Sequence, residues 1–406
     1  MPVFLQAHAT HPDWRMALGL SLAQLHAQID TWVNEAEAGG TELQPFTLGW
    51  CYVTDHYARH GEAIVAELHE RVPGVSWVGA VGVGVAACGV EYLDEPALVL
   101  MLSTLPREHF RVFSGRQAWP APGSGFVAHT ALVHADGHTP DLGELLPELA
   151  ERTTTGYLFG GLAASRVPAL PAWHLADAVF SGGLSGVAFD EQIDVVSRVS
   201  QGCQPIGPAR VITECEANLV ISLDGEPALD CLLRDLGVAE PLVDELPQRE
   251  LLPRLRTTLA GLTPAGADPL ARPGQFGVDT RVRHLVGLEP LRRGLAVAEP
   301  VERGTRLAFC TRNPQAARLD LMRIATEIRE EIEGDEGGAP RRVAGALYVS
   351  CAGRGGTHFG APHAELRTVR QALGEVPLVG FFAGGEIARQ NVYGYTGVLT
   401  VFTAPA

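Results

Sequence analysis

The feature that most constrains how this chain can fold is a glycine-thinned apolar run that occurs three times in the same local order. "VSWVGAVGVGVAACG" (75–89) follows an apolar segment at 46–55 and a helix at about 57–71, and it leads into "PALVLMLSTL" (96–105). The order strand, helix, strand, strand comes back in "GFVAHTALVHADG", "DLGELLPELAERT", "GYLFGGLAAS" and "AVFSGGLSGVAFD". It comes back again in "VAGALYVSCAGRGG", "HAELRTVRQALG", "PLVGFFAGGEI" and "YTGVLTVFT". Short apolar runs bounded by turn residues read as strands, and glycine within such a run marks a place where another backbone or a ligand comes close. Repetition of this kind points to one supersecondary unit used several times. The fold expected is therefore α+β, in two domains whose mixed or largely antiparallel sheets are flanked by helices. A length of 406 residues and a hydrophobic content of 46% suit two or three domains.

Before the first copy comes a strand (3–8) and then a helix with a polar start at "THPDW" and apolar residues Leu18, Leu22, Leu25, Ile29 and Val33 at helical spacing. A domain change is expected near residue 225, giving domains 1–225 and 226–406. Past it, "PLVDELPQRELLPRLRTTLAGLTPAGADPLARPGQ" (241–275) turns from charged helix to a Pro/Gly loop. Strands are expected at "VRHLVGLEP", "LAVAEPV" and "RLAFCTRN", then a helix from Pro314 to about Glu333, and "EEIEGDEGGAP" (330–340) reads as an exposed acidic loop.

Charge removes several function classes. The 31 basic residues are all arginine, against 47 acidic ones, for a net charge of −16. Without lysine there is no Schiff base, no pyridoxal phosphate anchor and no Walker P-loop. An acidic surface also disfavours nucleic acid as a partner. No secretory signal and no run long enough to span a membrane is present, so a cytoplasmic protein with no membrane partner is expected. Seven scattered cysteines, with no Cys-x-x-Cys pair, indicate neither a disulfide framework nor structural zinc. His56 with His60, and His134 with Asp136 and His138, complete no metal-ligand pattern. No metal and no cofactor is expected.

The polar residues that stand out lie at two strand ends of the third copy: Cys351 and Arg354, and Glu386. If those strands are neighbours, Arg354 can hold a carboxylate in a bidentate pair while Glu386 receives an ammonium, which describes a clamp for an amino acid or similar zwitterion. Gly353, Gly355, Gly384 and Gly385 would let backbone N–H groups approach the ligand, and Cys351 and Cys203 would line the wall. In that case replacing Arg354 would leave the unliganded fold intact. Internal pairing of Arg354 with Glu386 is the alternative. Cys351 is also open to a second use, as a nucleophile with His358 or His363 as base, although no matching triad pattern is present and no catalytic residue is assigned.

The stretch "VVSRVSQGCQPIGPARVITECEANLVISLDGEPALDCLLRDLG" (195–237) resembles the FIST proteins, in which an amino-terminal and a carboxy-terminal FIST domain stand in tandem. The resemblance extends to "GGLAAS" (160–165), "SGGLSGVAF" (181–189), "SCAGRG" (350–355) and "GFFAGGEI" (380–387), nearly the whole chain. It implies a FIST N-like domain over 1–225 and a FIST C-like domain over 226–406. It also implies a cytoplasmic sensory module that binds small ligands, amino acids among them, with no established catalytic activity and with its signal passed to a protein partner. A Cys-dependent enzyme acting on a small molecule and a ligand-free interaction module are the competing readings, and the oligomeric state is left open.

Overall fold

The computed structural model describes residues 2–40, 42–121, 123, 125–238, 248–267, 270–272, 275–334 and 341–406. The acidic stretch at 335–340 and the start of the 241–275 segment lie outside the described residues. The fold is α+β, and the chain divides into two compact units, one made of Met1–Ser200 with Arg318–Ala406 and the other of Gln201–Ala317.

The first unit is built from the three copies. In each, two parallel strands flank a helix: Leu48–Thr54 and Ser76–Gly82 around Gly61–Arg71, Thr130–Asp136 and Tyr157–Ala163 around Leu142–Glu151, Arg341–Cys351 and Leu378–Ala383 around Ala364–Leu373. A return strand, Ala97–Ser103, Leu184–Phe189 or Thr396–Pro405, then pairs antiparallel with the first of each pair. An outer strand, Phe4–Thr10, Phe110–Phe113 or Val195–Gln201, closes the far edge. The expected strand, helix, strand, strand order is therefore real, and it makes three six-stranded sheets.

The expected strand at 75–89 is divided in two: it breaks at Val83, and Gly84–Ala87 with Val90–Tyr92 forms a hairpin that joins the third copy's sheet beside Leu378–Ala383. The second copy sends its hairpin, His174–Ala176 with Val179–Phe180, to the first sheet, and the third sends Glu386–Arg389 with Asn391–Tyr393 to the second. The exchange is cyclic, so each copy completes the sheet of another. Gly82 and Gly84 permit the break, because a Cβ at Gly82 would stand 2.6 Å from the Gly84 carbonyl oxygen and one at Gly84 an equal 2.6 Å from that of Tyr92.

The strands of the parallel pairs are buried on both faces, which is why they read as continuous apolar runs rather than alternating ones. One face of each contributes to a shared core containing Trp50, Tyr52, Leu132, Phe159, Val349, Phe381 and Phe402. The other face meets helices. Cys51, Val53 and Trp77 pack with Trp14, Leu18 and Leu22 of the helix Trp14–Gly39, and Ala131, Val133 and Ala135 pack with Leu142, Leu146 and Leu149.

The register places a glycine at the same point of every copy: Gly79 opposite Cys51, Gly160 opposite Val133 and Gly380 opposite Tyr348. A Cβ there would lie 1.8, 2.0 and 1.8 Å from the facing carbonyl oxygen. Backbone cannot yield as a flexible side chain can, so Gly380→Ala is expected to cost about 1–3 kcal/mol or more of stability. Gly19→Ala, in a helix with nothing within 4 Å of the new Cβ, should instead gain about 0.5–1 kcal/mol. Urea denaturation of the two variants checks the pair.

The second unit is an antiparallel barrel. Its strands run Arg306–Arg312, Arg210–Glu216, Leu219–Leu223, Gly294–Val297, Arg281–Glu289 and Thr258–Thr263, and the last pairs back with the first. Its core joins Ile212, Val220, Leu262, Leu295 and Phe309 to Cys231 and Leu232 of the helix Ala228–Asp235. The three strands expected after residue 280 are present, and the helix expected next spans Pro314–Glu333.

Candidate functional site

The strand Arg341–Cys351 ends at a tight turn, closed by the Arg354 N–H donating to the Cys351 carbonyl at 2.8 Å. The turn carries the Arg354 side chain inward, to 0% exposure. Its Nε donates to Glu365 Oε1 at 3.1 Å, its Nη1 to the Ser200 carbonyl at 3.0 Å, and its Nη2 to Ser200 Oγ at 3.2 Å. The guanidinium also lies over the Phe359 ring, 5.3 Å from its centroid, a cation–π contact. Burial opposes the Arg354 charge, but Tyr348, Glu365 and Glu386 together hold its pKa above the usual arginine range. The partner of Arg354 is thus Glu365, on the first turn of the helix Ala364–Leu373.

Glu365 gathers the polar face of the strand. Its Oε1 accepts from Tyr348 at 2.7 Å and from Ser350 at 2.9 Å as well as from Arg354, and its Oε2 has no hydrogen-bond partner. The N-terminus of the same helix is met by Glu91, which arrives on the exchanged hairpin and accepts from the Leu366 N–H at 3.1 Å. Burial pushes Glu91 up to about 7.

Glu386 opens its strand and is fully buried. Its Oε2 accepts from the Thr396 N–H at 3.1 Å and from Thr396 Oγ1 at 2.7 Å. The Cys351 thiol, a weak donor, lies beside the same carboxyl, yet Oε1 is left without a hydrogen-bond partner. Burial raises Glu386 to about 8, against the opposing pull of Thr396 and Arg354. Burial, with Glu386 adding to it, also pushes the Cys351 thiol far up, although the Tyr395 and Gly353 N–H groups point at its sulfur. A thiol so held is not a ready nucleophile.

Cys351, Arg354 and Glu386 are therefore brought into one buried cluster, joined by Glu365, Ser200, Tyr348, Ser350 and Glu91, which the sequence reading did not name. Three of the four glycines are small because protein fills the space a side chain would need. A Cβ at Gly353 would meet Tyr395 at 3.1 Å, one at Gly355 would meet Leu93 at 2.9 Å, and one at Gly385 would meet Val392 at 2.7 Å. Gly384 is different: it borders a cavity of about 490 Å³. Cys203 belongs to the second unit, where it pairs across from Arg312 and its buried thiol contacts that of Cys310. Among the described residues, no group of three or more His, Cys, Asp or Glu is arranged to hold a metal ion, and no helix is long and apolar enough to cross a membrane.

The architecture is a threefold strand-exchanged α+β unit whose chain is interrupted by a small barrel, with a buried ionic cluster at one strand end. The FIST N domain matches residues 47–226 and the FIST C domain residues 228–389, so the chain belongs to the FIST family, whose domains are sensory domains of signal transduction. It is 29% identical over 412 residues to the "Uncharacterized protein Rv0628c" of Mycobacterium tuberculosis, covering 97% of this chain and 98% of that one. It is 28% identical over 372 residues to the "Uncharacterized protein Mb0898c" of Mycobacterium bovis, covering 86% of this chain and 88% of that one.

Proposed function

We propose that the chain is a cytoplasmic sensory module that reversibly binds a small zwitterion, of the amino-acid class, at the Cys351/Arg354/Glu386 cluster and signals through a protein partner. The observation that carries this reading is the pair of unsatisfied buried oxygens, Glu386 Oε1 and Glu365 Oε2. A buried acceptor without a partner costs free energy, about 1–3 kcal/mol, and a ligand ammonium would recover it. The ligand carboxylate would take the Nη donors of Arg354 that now rest on Ser200, a neutral and weaker acceptor. Cys351, Gly353, Gly355 and Gly385 form the wall, and Gly384 stands at its edge. Entry requires the turn after Cys351 to open, and Gly356 and Gly360, both with positive φ, supply hinges there. Cys203 keeps its place beside Cys310 and has no part in this reading.

Glu386 gives the reading a proton signature. With a pKa of about 8, its carboxyl is mostly protonated at pH 7, and an ammonium bound against it favours the ionised form. Binding is therefore expected to release about one proton at pH 7, and affinity to rise up to about tenfold per pH unit until about pH 8. A thermal-shift screen against the amino acids, followed by calorimetry of any hit in buffers of differing ionisation enthalpy, measures both. Glu386→Gln should abolish the shift. A panel without a single saturable shift, or a hit that Glu386→Gln binds as tightly as the parent, overturns the assignment.

A further inference from the structure

The three copies differ in the link between the second strand of the parallel pair and the exchanged hairpin. In register, His174 of the second copy stands where Val85 and Glu386 stand in the first and third, because each is one residue before the partner of the close-approach glycine. The link is Val83 alone in the first copy and residues 384–385 in the third, but 164–173 in the second. That longer link walls the cavity of about 490 Å³, a size that suits a small ligand. The cavity lies at the carboxyl ends of Thr130–Asp136 and Tyr157–Ala163, the position where open sheets with parallel strands bind ligands.

The wall is held in place. The Arg166 N–H donates to Asp55 Oδ2 at 2.7 Å and its guanidinium to Asp55 Oδ1 at 3.0 Å and Asp94 at 2.9 Å, while Trp173 Nε1 donates to the Ala58 carbonyl at 2.7 Å. Pro168 and Pro171 stiffen the stretch between these anchors. Leu162, Val167, Leu170 and Pro171 give the cavity an apolar side, and Asp136 gives it a carboxylate. Asp136 Oδ1 accepts from the His138 N–H at 2.9 Å and Oδ2 from the Gly182 N–H at 3.0 Å. Each carboxylate oxygen has two acceptor positions, so Oδ2 can still receive a ligand. Burial alone would raise Asp136, but the hydrogen bonds from His138 and Gly182 hold it below the usual carboxylate range.

We infer that this cavity is a second binding site, for a small primary amine with an apolar body, its ammonium on Asp136 and its body against Leu170 and the neighbouring apolar wall. It shares only Gly384 with the edge of the zwitterion site and differs from that site in ligand class.

The test is calorimetric titration of the full-length protein with phenethylamine, and with phenethyl alcohol as the uncharged counterpart. Saturable binding of the amine is expected, at least about tenfold weaker for the alcohol and for Asp136→Asn, and lost in Leu170→Trp, where an indole fills the cavity from a half-buried loop position. Glu386→Gln should bind the amine as the parent does. Absence of saturable binding, equal affinity in Asp136→Asn and Leu170→Trp, or loss of binding in Glu386→Gln would each overturn the inference. The last result would place the amine in the other cluster.

Discussion

Replacing Arg354 by alanine is expected to destabilise the first unit by about 3–5 kcal/mol, the range for removing one partner of a buried ion pair. Both side chains of the Arg354–Glu365 bridge are 1% exposed, so water cannot replace the lost guanidinium. Glu365 would keep a buried charge with only the Tyr348 and Ser350 hydroxyls to stabilise it, and its Oε2 has no partner already. The Ser200 carbonyl would lose its Arg354 donor as well. This reverses what the sequence suggests, that Arg354 serves binding alone and is dispensable to the unliganded fold. The double variant Arg354→Met/Glu365→Gln should recover part of the loss, since the methionine refills the volume and the glutamine carbonyl still accepts from Tyr348 and Ser350. All six tryptophans, at 14, 32, 50, 77, 119 and 173, lie in the first unit, so their fluorescence in urea follows that unit alone. A loss under about 1 kcal/mol for Arg354→Ala would mean that solvent reaches the guanidinium.

The three copies were legible because each consists of local elements: a strand, a helix at regular apolar spacing and two more strands. The hairpin exchange was not. Residues 75–89 form an unbroken apolar run, and what divides them at Val83 is the choice of partner, Cys51 and its neighbours for one half and Val379–Phe382 for the other. Local propensity carries no information about a partner some 290 residues away. The site divides along the same line. Cys351, Arg354 and Glu386 were visible as polar residues at glycine-rich strand ends, whereas Ser200 and Glu91 come from distant parts of the chain and left no local mark. Glu365 was within reach: Tyr348 and Ser350 place two hydroxyls on one face of a strand otherwise buried and apolar. Such a pair requires a buried acceptor, and the first acidic residue after the strand stands at the start of the following helix.

The pH dependence of stability is expected to separate Glu386 from His134, with opposite signs and effects of up to about 5 kcal/mol each, from 1.36 kcal/mol per pKa unit. Glu386 holds its proton to about pH 8 in the folded chain, against 4.5 when exposed. Its contribution is therefore undiminished below 4.5, and it is lost as pH rises towards 8, because the unfolded chain releases a proton that the folded chain keeps. Glu386→Gln removes this limb, so the variant should gain on the parent from pH 5 to pH 8. Glu91, raised to about 7, is common to both proteins and cancels in the difference. His134 sits in the shared interior with its Nε2 at 3.1 Å from the Tyr52 hydroxyl and its Nδ1 without a partner. Burial lowers it to about 3 from 6.5. It costs nothing above 6.5, and its cost grows as pH falls towards 3, since the unfolded chain takes up a proton that the folded one refuses. His134→Gln keeps a hydrogen-bonding group for Tyr52 and does not titrate, so it should gain on the parent only on the acid side. Urea denaturation of the three proteins at pH 4, 5, 6.5 and 8 distinguishes the limbs, and parallel curves for parent and Glu386→Gln would show that Glu386 is ionised in the fold. The same linkage bears on function: a ligand ammonium that ionises Glu386 stabilises the chain more at pH 8 than at pH 5, so a ligand whose thermal shift grows across that range in the parent and is lost in Glu386→Gln is seated at Glu386.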